Sequence, residues 1–293
     1  SSNGLQRKDA MAVARVVWTS FVVVLRRAAL SAYRDNALGI AKGAAYSGLL
    51  AFFPVLTTLA TILAQVKAEA LGRMLSRALE TIAPPNLAPL IVERFVVGGE
   101  KPVLLLVVAT LLALWAASGL TSSLMDGFQA AYRVPRRRGV VRHRLVAIWL
   151  VFAAVIPAVG ASAMMVFGER TERWVLGLLG VIEVGETIRG GIVVVSRAVR
   201  YVIAVGAIVL VTSLMYYYGP DRPRRFRETW AGALLATSLW WVATAAFAWY
   251  VRNIANYSVT YGSVGAAIAL LVWIYLLAII ALVGCEFNAE IGR

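Results

Sequence analysis

Residues 253–290 read NIANYSVTYGSVGAAIALLVWIYLLAIIALVGCEFNAE, and their reading decides the fold. No charged residue stands between Arg252 and Glu286. The apolar part, Val264–Val283, has the ~20 residues that a helix needs to cross the hydrocarbon core of a bilayer. Polar groups bracket this helix. Asn256, Tyr257, Thr260, Tyr261 and Gly262 precede it, and Glu286, Asn288 and Glu290 follow it.

Working outward, the whole chain carries the same signal. It is 60% hydrophobic, above the roughly half that is usual for a soluble domain. Charge-poor runs near 43–66, 102–125, 145–168, 200–218, 229–251 and 263–285 can each hold a spanning helix. The fold class is therefore all-α: a polytopic membrane protein with six transmembrane helices. Residues 42–291 form one transmembrane domain in this reading. Residues 1–41 form an N-terminal amphipathic segment at the cytoplasmic interface, because Arg15, Arg26 and Arg27 interrupt and close its apolar run. Segments 67–101 and 169–200 hold short helical patterns, expected as small periplasmic helices, one of them Glu172–Ile182. The run Ile192–Ser196 either extends the fourth helix or re-enters the membrane. Pro54 and Pro157 fall inside spans and predict kinks or an unwound turn.

The formal net charge of +14 is distributed by side. Segments 1–42, 126–144, 221–228 and 286–293 hold 18 Lys/Arg against 7 Asp/Glu, whereas the alternate segments hold 11 against 8. The positive-inside rule then puts both termini in the cytoplasm. Orientation and anionic lipid account for the basic residues of 133–144, Arg142 and Arg144 among them, so nucleic acid is not an expected partner.

Catalysis finds little support. The chain has one histidine, His143, and one cysteine, Cys285, which cannot supply a His- or Cys-based metal cluster. It contains no GxxxxGK[ST] loop and no GxGxxG. No catalytic residue, metal or cofactor is expected. The stronger lead is polar residues at membrane depth, whose burial is costly. Lys42 and Tyr46 in the first span, Asp126 and Gln129 ending the second, and Glu286, Asn288 and Glu290 ending the sixth form a candidate inner gate. Lys42 is a potential ion-pair partner for Glu286 or Asp126. On the outer side, Asn256, Tyr257, Thr260, Tyr261 and Gly262 form a candidate substrate contact, with Gly262 free to take a positive φ. Against this stands the plainer reading that both clusters hold helix ends.

Five stretches carry a family resemblance: Lys42–Pro54 (KGAAYSGLLAFFP), Met125–Val134 (MDGFQAAYRV), Arg227–Leu234 (RETWAGAL), Asn256–Gly265 (NYSVTYGSVG) and Trp273–Glu290. In order and in kind they resemble the YihY/BrkB family of bacterial inner-membrane proteins, long called ribonuclease BN. The sequence departs from many relatives at Cys285 and Phe287, both apolar exchanges. The resemblance implies a bacterial inner-membrane location, six spans and a transport role in the bacterial envelope. The expected function is a transporter or flippase-like carrier of a lipid or other amphipathic molecule, with membrane lipids as partners. The rival is a non-transporting membrane scaffold for envelope integrity. The ribonuclease label fits poorly with a single histidine.

Overall fold

A computed structural model describes residues 21–66, 103–135, 138–178, 190–222, 225–253 and 262–293. Residues 21–34 form α1. The later helices are α2 (Ala37–Val66), α3 (Val103–Ala131), α4 (Val140–Leu178), α5 (Gly190–Tyr218), α6 (Trp230–Asn253) and α7 (Gly262–Ile291). A short 3-10 turn, Phe226–Thr229, leads into α6. Six of these helices are long and apolar enough to cross a membrane. An even number of crossings places Ala37 and Ile291 at the same end of the bundle, called here the terminal end.

The helices run further than the charge-poor stretches. The sixth apolar stretch, Val264–Ile291, carries Glu286, Asn288 and Glu290 as its last helical turns rather than as a flanking segment. The expected helix Glu172–Ile182 is not a separate element up to Leu178: α4 continues through it without a break from the third span. The Ile192–Ser196 run belongs to α5, which begins at Gly190, so it extends the fourth helix. α2 stays helical through Pro54 and α4 through Pro157, and no turn of either unwinds there. Thr58 Oγ1 donates to the Pro54 carbonyl at 2.9 Å.

In chain order each helix from α2 to α7 packs on the next, and α7 closes the ring by packing on α2 and also on α3. Small residues make this closure tight, as expected where apolar lipid gives helices no hydrophobic drive to associate. Ala41, Ala44, Ala45 and Ala51 form the buried stripe of α2. A Cβ placed on Gly127 of α3 would lie 2.3 Å from Leu282 of α7. At the terminal end, Phe128 and Tyr216 meet edge-to-face at 5.2 Å, and the Tyr216 hydroxyl donates to the Ala281 carbonyl at 2.7 Å.

The closest approach joins α6 and α7. A Cβ on Gly232 would lie 2.0 Å from the Gly284 carbonyl, and one on Gly284 would lie 2.5 Å from the Tyr216 hydroxyl. Neither glycine can gain a methyl unless a backbone moves. Gly160 and Gly206, by contrast, face open space. Gly232→Ala and Gly284→Ala should each cost about 1–3 kcal/mol of stability in detergent-based unfolding. Gly160→Ala should leave stability unchanged or raise it slightly. Equal effects at both kinds of glycine would contradict this packing.

Candidate functional site

The end of α7 is built by hydrogen bonds to backbone groups that helix termini leave unpaired. Asn288 is buried, and its Nδ2 donates to the Thr229 carbonyl at 3.0 Å while its Oδ1 accepts from the Gly232 amide at 2.6 Å. One side chain thus clasps the start of α6 to α7. Glu290 accepts from Ser31 Oγ at 2.9 Å and from Arg293, so it ties α1 to the same place. Phe21 of α1 packs its ring on Phe287 at 5.6 Å.

The end of α3 is closed with equal completeness. Arg133 sits at φ 53°, a left-handed conformation that terminates the helix. The amides of Tyr132, Arg133 and Val134 take the carbonyls of Phe128, Ala130 and Gln129. Arg293 Nη2 takes the Ala131 carbonyl at 3.0 Å. Asn288 and Glu290 therefore have structural work at this end.

Glu286 differs from its neighbours. It is 2% exposed, and its Oε2 meets no donor among the described residues. Asp35 occupies the turn between α1 and α2, which Asn36 makes tight by adopting φ 58°. The expected Lys42 ion pairs are not formed. Lys42 is exposed on α2, four residues before the exposed Tyr46, and makes no ion pair among the described residues. Asp126 instead faces His143 of α4, Oδ1 to Nε2 at 3.6 Å. Gln129 is buried, with neither amide atom hydrogen-bonded among the described residues. Asn256, Tyr257, Thr260 and Tyr261 lie outside the described residues. Gly262, free in sequence to take a positive φ, opens α7 as its first helical residue.

Arg144, assigned from sequence to side-determining charge alone, does something else. Its Nη2 donates to the Trp115 carbonyl at 2.7 Å, and its guanidinium lies 5.5 Å from the Trp115 ring centroid. Trp115 is 16 residues before Ala131, the end of the 29-residue α3, so this carbonyl lies near the middle of a ~43 Å helix. The arginine points into the span rather than back toward the headgroups. Ser118 Oγ donates to the same carbonyl at 2.7 Å. No carboxylate pairs with Arg144 among the described residues.

Around it lies a polar strip with its floor on α3 and its walls on α2 and α4, both of which pack on α3. A Cβ on Gly119 would lie 3.4 Å from Ser47 Oγ and 3.9 Å from Arg144 Nη1. A Cβ on Gly43 would lie 3.9 Å from Ser123 Oγ. Trp115, Gly119 and Ser123 recur every four residues and hence share one face of α3, with Ser122 and Asp126 beside them. Ser122 Oγ is shut from solvent without a hydrogen-bond partner among the described residues. The strip opens sideways: Trp115 is 65% and Tyr46 63% exposed, and Gly43 is exposed. In composition Arg144 is one arginine among many.

If Asn288 is the clasp described, Asn288→Ala leaves the Thr229 carbonyl and Gly232 amide buried and unpaired. A loss of about 2–4 kcal/mol in unfolding free energy is expected. A loss no larger than that of an exposed substitution such as Glu228→Gln would remove Asn288 from that role.

Comparison with known proteins agrees with this architecture. The virulence factor BrkB family model matches residues 29–293. Ribonuclease-like protein YfkH of Bacillus subtilis is 31% identical over 181 residues, 62% of this chain and 63% of its own length. The UPF0761 membrane protein of Alkalilimnicola ehrlichii is 28% identical over 270 residues, 88% of this chain and 56% of its own. A UPF0761 membrane protein of Alteromonas mediterranea is 34% identical over 88 residues, 30% of each chain. The matches thus span about six-tenths of the length of the first two relatives. No solved structure matches. With the model match covering nearly the whole chain, the protein belongs to the virulence factor BrkB family of membrane proteins.

Proposed function

We propose that this protein is a carrier of lipid or a similar amphipathic molecule, with the α2–α3–α4 strip receiving the polar headgroup while the tails stay in the bilayer. The observation that carries the reading is the Arg144 guanidinium on the mid-span Trp115 carbonyl, unpaired by acid among the described residues and beside a side-open strip. A cation at the centre of a span costs ~2.5–3.5 kcal/mol on insertion scales, and such residues mark pathways for polar cargo. Ser47, Ser122, Ser123 and Gly119 supply hydroxyls and room along the same face. The buried amide of Gln129, unpartnered among the described residues, continues that polarity toward the terminal end. The charge distribution favours the bacterial inner membrane with both termini cytoplasmic, so the strip would run from the inner leaflet toward the middle of the bilayer.

A scaffold remains the second reading because one observation favours it: Asn288 and Glu290 are both spent on holding helix ends. The ribonuclease-like name of the Bacillus relative is not adopted for this chain. Among the described residues no three of His, Cys, Asp and Glu gather as metal ligands, and Asp126 faces His143.

Purified protein in liposomes holding a fluorescent phospholipid in one leaflet separates the two readings. Wild type should move the lipid between leaflets. Arg144→Gln should slow it about tenfold or more, the loss of one charge-assisted contact of ~1.4 kcal/mol, at unchanged thermal stability. No movement by wild type, or an undiminished rate in Arg144→Gln, overturns the carrier reading.

A further inference from the structure

The flank of α4 opposite the strip carries a feature of its own. Arg142 and Arg144 are two positions apart, about 200° around a helix, so they look to opposite sides of α4. Arg144 reaches toward α3, whereas Arg142 borders a groove of about 300 Å³ between α4 and α5. Leu145, Val146, Trp149 and Tyr218 line the rest of it. The first turn of α4 and the last turn of α5 both lie at the terminal end, so the arginine stands at the mouth. Trp149 is two helical turns further on, ~10 Å deeper along α4. Leu145, Trp149 and Tyr218 are exposed, so the groove opens sideways.

The walls are held without a ligand. Trp149 meets Tyr218 edge-on at 4.7 Å, Tyr218 meets Tyr217 at 4.8 Å, and Tyr217 meets Phe226 at 5.7 Å. Arg138 donates to the Tyr218 carbonyl at 2.9 Å and to Asp221 Oδ1 at 3.0 Å, which occupies that acid. Arg142 itself is exposed and makes no ion pair among the described residues. Residues 133–144 contain no acid, and the helix dipole favours negative charge in the first turn of α4. A preformed apolar groove with an uncompensated cation at its membrane-boundary mouth fits a lipid of net negative charge. A zwitterionic lipid offers the same phosphate but brings a cation of its own, which this basic mouth disfavours.

We propose that the α4–α5 groove is a binding site for an anionic phospholipid. Its phosphate rests on Arg142, and one acyl chain lies along Leu145 and Val146 to Trp149 and Tyr218. The site stands whether or not anything moves along the α2–α3–α4 strip, because α4 separates the two.

The full chain is placed in nanodiscs of phosphatidylglycerol and phosphatidylcholine at equal mole fraction, with brominated acyl chains on one lipid or the other. Bromine quenches tryptophan on contact, and the difference between wild type and Trp149→Phe isolates the signal of Trp149. Brominated phosphatidylglycerol should quench Trp149 about fivefold more efficiently than brominated phosphatidylcholine, as expected for one basic residue near an anionic lipid. Arg142→Gln should quench equally with both lipids, because the groove stays filled while its charge preference is gone. Arg144→Gln, on the other flank, should keep the wild-type preference. Thermal unfolding of each variant checks that it is folded. Equal quenching by the two lipids in wild type overturns the proposal, as does a preference that survives in Arg142→Gln or is lost in Arg144→Gln. So does an absence of quenching by either lipid, the result expected if a second copy of the chain covers the groove.

Discussion

The contact on which the bundle depends is the crossing of α6 and α7 at Gly232 and Gly284, held by the amide of Asn288. Within lipid, apolar side chains gain little by meeting each other, so helix association rests on close backbone approach and on hydrogen bonds. Both occur here in one place. The glycines bring the backbones together, and Asn288 pairs the Thr229 carbonyl and Gly232 amide that the start of α6 would otherwise bury unpaired. Tyr216 reaches the same crossing from α5, so three helices are registered by a few polar atoms. α7 then serves as the post against which α2 and α3 also pack.

That closure has a consequence at the other side of α3. The face of α3 toward α7 is spent on Leu124, Phe128 and Ala131, all buried in the main core. The face carrying Trp115, Gly119 and Ser123 looks away from that core and is walled by α2 and α4. Arg144 lies there because Arg133 ends α3 sharply and α4 packs beside it, with His143 next to Asp126. Its neighbour Arg144 is then near enough to reach inward to a helix carbonyl. A guanidinium so placed is retained at a cost in insertion free energy, which argues for use rather than accident.

Much of the fold was legible from charge-poor runs alone. Six spans follow from runs such as Val264–Val283, and the long helices differ mainly in continuing past the first charge, as α7 does through Glu286 to Ile291. The site was legible in part. Glu286, Asn288 and Glu290 stand out as polar residues at a span end, yet their separate duties do not. Asn288 bonds to residues 56 and 59 positions away, and nothing local in the sequence encodes such partners. Arg144 was hidden among Arg142 and the other arginines of one basic segment, where composition explains all of them equally. Lys42 at the start of a span suggests an inward ion pair, but its side of α2 faces out.

The central claim is that the α2–α3–α4 strip is polar and reachable from water at a depth where the rest of the bundle meets lipid tails. Its most direct measurement is the reaction of single cysteines with a charged, membrane-impermeant thiol reagent in nanodiscs, in a Cys285→Ala background. Ser47→Cys and Gly119→Cys, beside Arg144, should react readily. Val242→Cys, exposed near the middle of α6 and away from the strip, should react at least tenfold more slowly, because only a wet strip ionises and reaches a thiol. Equal and slow reaction at all three positions would show a dry, lipid-filled face and contradict the account.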